Sequence, residues 1–298
     1  MINALTVDVE DYYWLFSRYR FDSQTDPGDA VVRCIRRLLD LFDQHQVKAT
    51  FFVLGQVGWN HPGVVKDIAA RGHELASHGH SHMQVFKFTP AEFRTRIRDA
   101  KKCIEDLGQC PVLGHRAAAF SLRPDTQWAL EVLAEVGFRY DSSISPASVR
   151  RYGWPGVPEN IHRMKLPNGS TIIEAPIPPV HVLGKALPAC GGGYLRHFPY
   201  WYTHWAFRRI ERHRPVIVYT HPYEIDTEPP SREFTEALKK APREHKRHHR
   251  ILCRNRSTVL NKLERLLKTF RFAPLGCVID SVLGRDSQAP ESDELPGE

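Results

Sequence analysis

Short apolar runs alternate with helical stretches over the first 145 residues, and this alternation limits the chain to few architectures. "NALTVDV" and "KATFFVLG" read as buried strands, the second closed by Gly55. Between them "DAVVRCIRRLLDLFDQHQV" carries Val31, Val32, Ile35, Leu38, Leu39 and Phe42 at helical spacing. "PGVVKDIAARG" reads as a short helix with Pro62 near its start and Gly72 as its stop, and "HELASHG" as a returning strand. A longer helix follows in "TPAEFRTRIRDAKKCIEDLG", with Thr89 as N-cap and Gly108 as terminator. "VLGHRAAAFS", a helix through "DTQWALEVLAEVG", and "FRYDSSIS" continue the rhythm. Strands separated by helices imply parallel pairing with helical crossovers, and in such sheets chemistry gathers in the loops after the strand C-termini.

After Pro146 the rhythm loosens. Pro and Gly become frequent between 153 and 200, which reads as long surface loops around one strand, "STIIEAP". "RPVIVYTHPYEID" holds a further strand over Val216–Tyr219, and Val259, Leu260, Leu263, Leu266, Leu267 and Phe270 form one apolar helical face that predicts packing onto the main body. The segment "GRDSQAPESDELPGE" lacks apolar content and reads as disordered. The division expected is therefore a catalytic domain over 1–225, a basic and helical extension over 226–279 packed on it, and a disordered tail over 280–298.

Composition narrows the class. A chain of 298 residues with 42% hydrophobic and 25% charged residues can bury a sizeable core as an ordinary globular protein. Six cysteines are scattered without a CxxC pair, which reads as reduced thiols. There is no secretory-leader pattern and no run of about 18 apolar residues. The location expected is cytoplasmic, with peripheral contact to a membrane surface. The net charge of +7 is concentrated in "KKAPREHKRHHR", residues 239–250, which favours an anionic partner such as a phosphate or an anionic membrane surface. No nucleic-acid partner is expected.

Four places at predicted strand ends carry chemistry. "TVDVEDYYW" sets Asp8, Glu10 and Asp11 within four positions, where like charges repel unless something positive sits among them. "SHGHSHM" holds His78, His80 and His82; two imidazoles four residues apart around a loop can converge on one ion. "GHRAAAF" contributes Arg116, and "YTHPYE" contributes His221. Two histidines and one carboxylate with open positions make a catalytic metal site, and the ion answers the repulsion among the acids. Tyr12, Tyr223 and Trp154 are candidates to stack on a ring of a bound substrate.

Taken in order, "TVDVED", "SHGHSH", "GHRAAAFS" and "VIVYTHPYE" resemble the polysaccharide deacetylases of the NodB-homology type, carbohydrate esterase family four. "DVEDYY", "YDSSISP", "IIEAP", "GGGYLR" and "THPYEID" resemble more narrowly a bacterial subgroup associated with exopolysaccharide gene clusters. The resemblance implies an α/β fold, a distorted and incomplete (β/α) barrel with a C-terminal helical extension. It implies a divalent metal, usually zinc (Co2+, Ni2+ and Mn2+ being alternatives), and removal of N-acetyl groups from amino sugars of a poly- or oligosaccharide, including a lipid-linked one. His78 and His82 match the family's metal-binding histidines, Asp8 its catalytic base, Arg116 the arginine that pairs with the base, and His221 the general acid. The family's second aspartate aligns with Val9, which cannot ligate. Strand alternation puts Glu10 on the face of Asp8 and favours Glu10 as the ligand, with Asp11 open if the strand has already turned. Asp141 and Glu174 are the candidates to orient His221. A metal-dependent C–N hydrolase of small molecules such as allantoin or cyclic imides, and an inactive glycan-binding protein, are the competing readings.

Overall fold

The computed structural model describes residues 1–22, 28–146 and 153–286. Its elements up to residue 141 are β1 (Asn3–Val9), α1 (Tyr12–Arg20), α2 (Ala30–Gln44), β2 (Thr50–Val53), α3 (Gly55–Asn60), α4 (Pro62–Ala70), β3 (Glu74–Ser77), α5 (Pro90–Gly108), β4 (Gly114–His115), α6 (Trp128–Glu135) and β5 (Tyr140–Asp141). There follow β6 (His162–Lys165), β7 (Thr171–Glu174), β8 (Val180–Val182), β9 (Lys185–Leu187), α7 (Gly193–His197), α8 (Tyr200–Ile210) and β10 (Ile217–Thr220). The chain then forms α9 (Arg232–Lys240), α10 (Arg243–Cys253), α11 (Val259–Thr269), β11 (Phe272–Ala273) and α12 (Leu275–Asp286).

One nine-stranded sheet runs in the order β10-β1-β2-β3-β4-β5-β7-β6, with β11 added to the start of β1. All its pairings are parallel except β6 with β7. The sheet curls into an incomplete (β/α) barrel, as expected.

Strand alternation sorts the side chains. Leu5, Val7, Val9, Phe51, Val53, Leu75, Ile172 and Val218 face outward and pack with α2 residues such as Ile35, Leu38, Leu39 and Phe42 in the main core. Ala4, Phe52, Ala76, Tyr140, Ile173 and Ile217 face inward, and Leu275, Val278 and Ile279 of α12 pack against them. The amides at the start of α12 bond to the first residues of two strands: Leu275 N donates to Thr50 Oγ1 (2.7 Å) and Gly276 N to Glu74 Oε2 (3.0 Å). The last helix thus closes the barrel at its strand N-termini, leaving the opposite end open for Asp8 and its neighbours.

This placement corrects one expectation. Residues 280–286, expected in a disordered tail, belong to α12, because the apolar residues just before them fill the barrel floor. The rest of that expected tail, 287–298, lies outside the described residues. The loop reading of 153–200 is likewise incomplete: it contains the β6–β7 pairing, the β8–β9 hairpin and α7. Helix α11 buries Val259, Leu263, Leu266 and Leu267, as its apolar face predicts.

Candidate active site and metal centre

The end of β1 distributes its three acids to three environments. Asp8 points into the barrel, where Arg116 Nη1 donates to its Oδ1 at 2.7 Å, both side chains being fully buried. Arg116 is further fixed by bonds to Thr6 Oγ1 (2.8 Å), Ser142 O (3.1 Å) and Ser142 Oγ (3.0 Å), and lies over the Phe52 ring at 4.1 Å. Its hydrogen bonds satisfy a charge that burial would otherwise make costly.

Glu10, one strand repeat further, meets the histidine loop. His78 Nε2 lies 3.1 Å and His82 Nε2 2.9 Å from Glu10 Oε1. These three residues are the one group of three or more His, Cys, Asp or Glu side chains among the described residues able to hold a metal ion, their donor atoms lying within 4.8 Å of one another. His78 Nδ1 donates to the Arg116 carbonyl at 2.9 Å, the backing that turns the other ring nitrogen toward an ion. The loop holds His82 at a φ of 55°, a strained conformation for a non-glycine residue. Burial alone would raise the Glu10 carboxyl, but His82, His221 and His78 outweigh it and hold it well below the usual carboxylate range. The set suits a divalent cation with imidazole and carboxylate preference.

Asp11 turns away from this group. Its Oδ1 accepts the Trp14 amide (3.1 Å) as the N-cap of α1, and its Oδ2 lies 3.5 Å from His61 Nε2. Of the two alternatives left open by the sequence, Glu10 is in the cluster and Asp11 caps a helix.

His221 follows β10 and faces the same group: its Nε2 lies 3.9 Å from Asp8 Oδ2 and 3.7 Å from Glu10 Oε1. Burial would lower its pKa, but Glu10, Glu224 and Asp8 prevail and raise it to about 9.

The sequence comparisons fall on these elements. Residues 21–140 match the family described as Polysaccharide deacetylase, and residues 142–280 match a domain of unknown function, DUF3473. Residues 21–140 are thus the polysaccharide deacetylase part of the chain. It is 31% identical over 154 residues to a peptidoglycan-N-acetylglucosamine deacetylase of Bacillus cereus, covering 50% of this chain and 53% of that one. A chitooligosaccharide deacetylase of a Bradyrhizobium species is 32% identical over 101 residues, 34% of this chain and 44% of that one. The chain thus spans about half the length of these curated relatives. A candidate polysaccharide deacetylase from Mycobacterium smegmatis shares the fold with a TM-score of 0.61 and 16% identity, over 99% of this chain and 96% of that one.

Residues before, within and after the matched stretch 21–140 assemble the site, with some departures from expectation. Neither Asp141 nor Glu174 touches His221. Asp141 accepts from His115 Nδ1 (2.7 Å) and from Ser143 N (2.9 Å), and Glu174 accepts the Ile144 amide (3.1 Å). Burial and the Asp141 charge push the Glu174 carboxyl well above the usual range, so this pair braces the loop after β5. The partner of His221 is Glu224, whose Oε2 accepts from His221 Nδ1 at 3.2 Å and from its backbone amide at 3.1 Å. Glu224 lies three residues on in a single 3-10 turn, Pro222–Ile225, and that spacing after a proline was the available signal.

Tyr12 is also corrected as a sugar platform. It is buried among Tyr13, Phe16 and Phe234, and its hydroxyl bonds His249 Nδ1 at 2.7 Å. Tyr223 is half-buried, its ring 4.9 Å from that of Tyr12 and 5.2 Å from that of His221. Trp154 packs against the main core, and its amide bonds Ser145 O. His80 stays outside the cluster, its ring 4.8 Å from that of Trp59.

Proposed function

We propose that the protein is a metal-dependent hydrolase that removes N-acetyl groups from amino sugars of a poly- or oligosaccharide. The observation that carries this reading is the convergence of Asp8 and His221, from neighbouring strands, beside the Glu10, His78 and His82 group. The relatives named for deacetylation of N-acetylglucosamine polymers and chitooligosaccharides support the substrate class. Glu10, His78 and His82 hold the cation, zinc being favoured by the two-imidazole, one-carboxylate set. A cation there supplies Lewis acidity toward water and the acyl oxygen. Asp8 Oδ2, the oxygen not engaged by Arg116, accepts the proton of the attacking water. Arg116 keeps the Asp8 carboxylate in one orientation and gives it a permanent opposite charge. His221 Nε2–H donates its proton to the departing amine nitrogen, and acetate and a free amino sugar are released. The narrower motif resemblance supports an exopolysaccharide as the glycan.

Acetate release from N-acetylglucosamine oligomers by zinc-loaded protein tests the reading. Ammonia or ring-opened product from allantoin or cyclic imides in place of acetate would overturn it. The ligand assignment has its own test by metal titration. Glu10→Gln weakens binding by more than the ~10–100-fold typical of losing a group behind a ligand. Asp11→Asn, which retains a good N-cap, leaves metal affinity within about twofold. The reverse order would transfer the ligand role to Asp11.

The basic segment adds a partner. Arg243, Arg247, Arg250 and Arg254 are spaced four, three and four residues apart along α10 and its C-cap, and all four are exposed on one stripe. We propose that this stripe rests on an anionic membrane surface, which brings the site to lipid-linked glycan. Each basic group near such a surface contributes about 1 kcal/mol. Arg247→Glu with Arg250→Glu should weaken sedimentation with anionic vesicles by at least ~30-fold while sparing hydrolysis of short soluble oligomers. Unchanged vesicle binding would sink the proposal.

A further inference from the structure

His221, Glu224 and the Arg196 and Thr220 side chains bonded to Glu224 all lie between residues 142 and 280, the stretch whose family match is a domain of unknown function. We infer that this region completes the active site, and that Arg196 is a positioning residue acting on His221 through Glu224. The inference rests on the deacetylase reading above.

The chain of contacts is short and buried. Glu224 is fully buried and divides its oxygens: Oε2 takes His221, as above, and Thr220 Oγ1 at 3.3 Å, while Oε1 accepts from Arg196 Nε at 2.7 Å. Arg196, itself buried, directs Nη1 to the carbonyls of Ile251 (3.2 Å) and Leu252 (2.6 Å). These belong to the last turn of α10, where helix carbonyls lack intrahelical donors and the helix dipole is negative. One guanidinium therefore ties a carboxylate and a helix end together, a task its planar fork suits and a lysine ammonium does less well.

The backbone is built to deliver Arg196 there. In "CGGGYLR" Gly191 has a φ of 133° and bridges Tyr219 of β10; a Cβ on it would stand 1.9 Å from the Tyr219 carbonyl oxygen. Only glycine lets the loop lie this close to the strand that ends in His221. Behind it Lys262 of α11 donates to the carbonyls of Leu195 (2.8 Å), Arg196 (3.2 Å) and Phe198 (2.8 Å) and fixes α7.

The chemical consequence follows from donor counting. An ionised Glu224 can only accept, so the His221 nitrogen facing it must carry hydrogen. When the C–N bond breaks, its electron pair goes to the nitrogen, and that nitrogen takes the proton from His221 Nε2. The imidazole left behind keeps its Nδ1–H on Glu224. Arg196 occupies the other Glu224 oxygen and stops the carboxylate from turning away. Its loss therefore reduces proton delivery to the leaving group without removing a metal ligand or a substrate contact.

Leaving-group dependence tests this. An N-acetyl amide needs a proton on its departing nitrogen; 4-nitrophenyl acetate releases a stable phenolate without one. The wild-type protein is first assayed on N-acetylglucosamine oligomers; absence of acetate release there counts against the deacetylase reading itself. Arg196→Met should then lower kcat on the oligomers by ~10–100-fold, part of the factor a general acid supplies. KM and zinc content should stay within about twofold, aryl ester hydrolysis should fall far less, and Arg196→Lys should recover part of the loss. Glu224→Gln, which preserves shape, should give the same selective defect, and the Arg196→Met, Glu224→Gln double variant should lose no more than the worse single one. Parallel loss on amide and ester, unchanged kcat on the amide, or additive losses in the double variant would overturn the inference.

Discussion

Asp8→Asn is expected to lower deacetylation by about two to four orders of magnitude, the range general-base catalysis supplies. Asparagine keeps the shape of Asp8 and can still accept from Arg116, but it cannot take a proton from water at neutral pH. The substitution is informative because Asp8 lies outside the ligand group. Glu10, His78 and His82 remain, so zinc content should match that of the unaltered protein. Substrate binding should also persist, which places the loss in kcat rather than in KM. Steady-state acetate release with metal analysis on the same preparations reads all three quantities. Activity above a tenth of the original would remove Asp8 from the role of base. Loss of zinc in step with activity would make it a ligand.

The part of this site that was legible in the sequence is the part written in local periodicity. Asp8 and Glu10 share a strand face because successive strand residues alternate, which favoured Glu10 over Asp11 before any fold was known. The spacing of His78 and His82 around Gly79 indicated convergence, and the strand ends located Arg116 and His221 at one rim. What escaped was set by contacts distant along the chain. Glu224 is near His221 in sequence, but Arg196, which fixes it, is 28 residues away, and the α10 carbonyls that fix Arg196 are 55 and 56 residues further. Asp141 and Glu174 looked suitable because each ends a strand on the same sheet, yet β4, β3, β2 and β1 separate them from β10. Asp141 instead serves His115 on the adjoining strand. Tyr12 carried an aromatic ring next to the acids, but α1 turns it under α10, where a hydroxyl–imidazole bond absorbs its polar end. Helix α12 was read short for another reason: Leu275, Val278, Ile279, Val282 and Leu283 pack in the barrel floor, but the polar run that begins at Gly284 hid where the helix ends.

Arg116→Met is expected to cost about 3–5 kcal/mol of stability, the range for breaking a buried ion pair from one side. The arginine is fully buried, and it ranks first in volume among the side chains so enclosed. Methionine can fill part of the space over Phe52, but Asp8 Oδ1, Thr6 Oγ1 and the two oxygens of Ser142 lose their donor together. Asp8 is left buried without its counter-charge, which is the costly element. Adding Asp8→Asn should therefore return part of the loss, so that the double variant is less destabilised than the sum of the singles by about 0.5–3 kcal/mol. Denaturant midpoints at an unchanged slope measure these differences. A single variant costing under ~1 kcal/mol, or strict additivity in the double, would mean that the ion pair is not what stabilises this end of the barrel. The same residue links stability to chemistry by two routes, since its side chain orients Asp8 and its carbonyl orients His78. The Met variant keeps that carbonyl, so it should still take up zinc while losing deacetylation. Zinc uptake without turnover would separate the side chain's part, holding the base, from the backbone's part, holding the ligand.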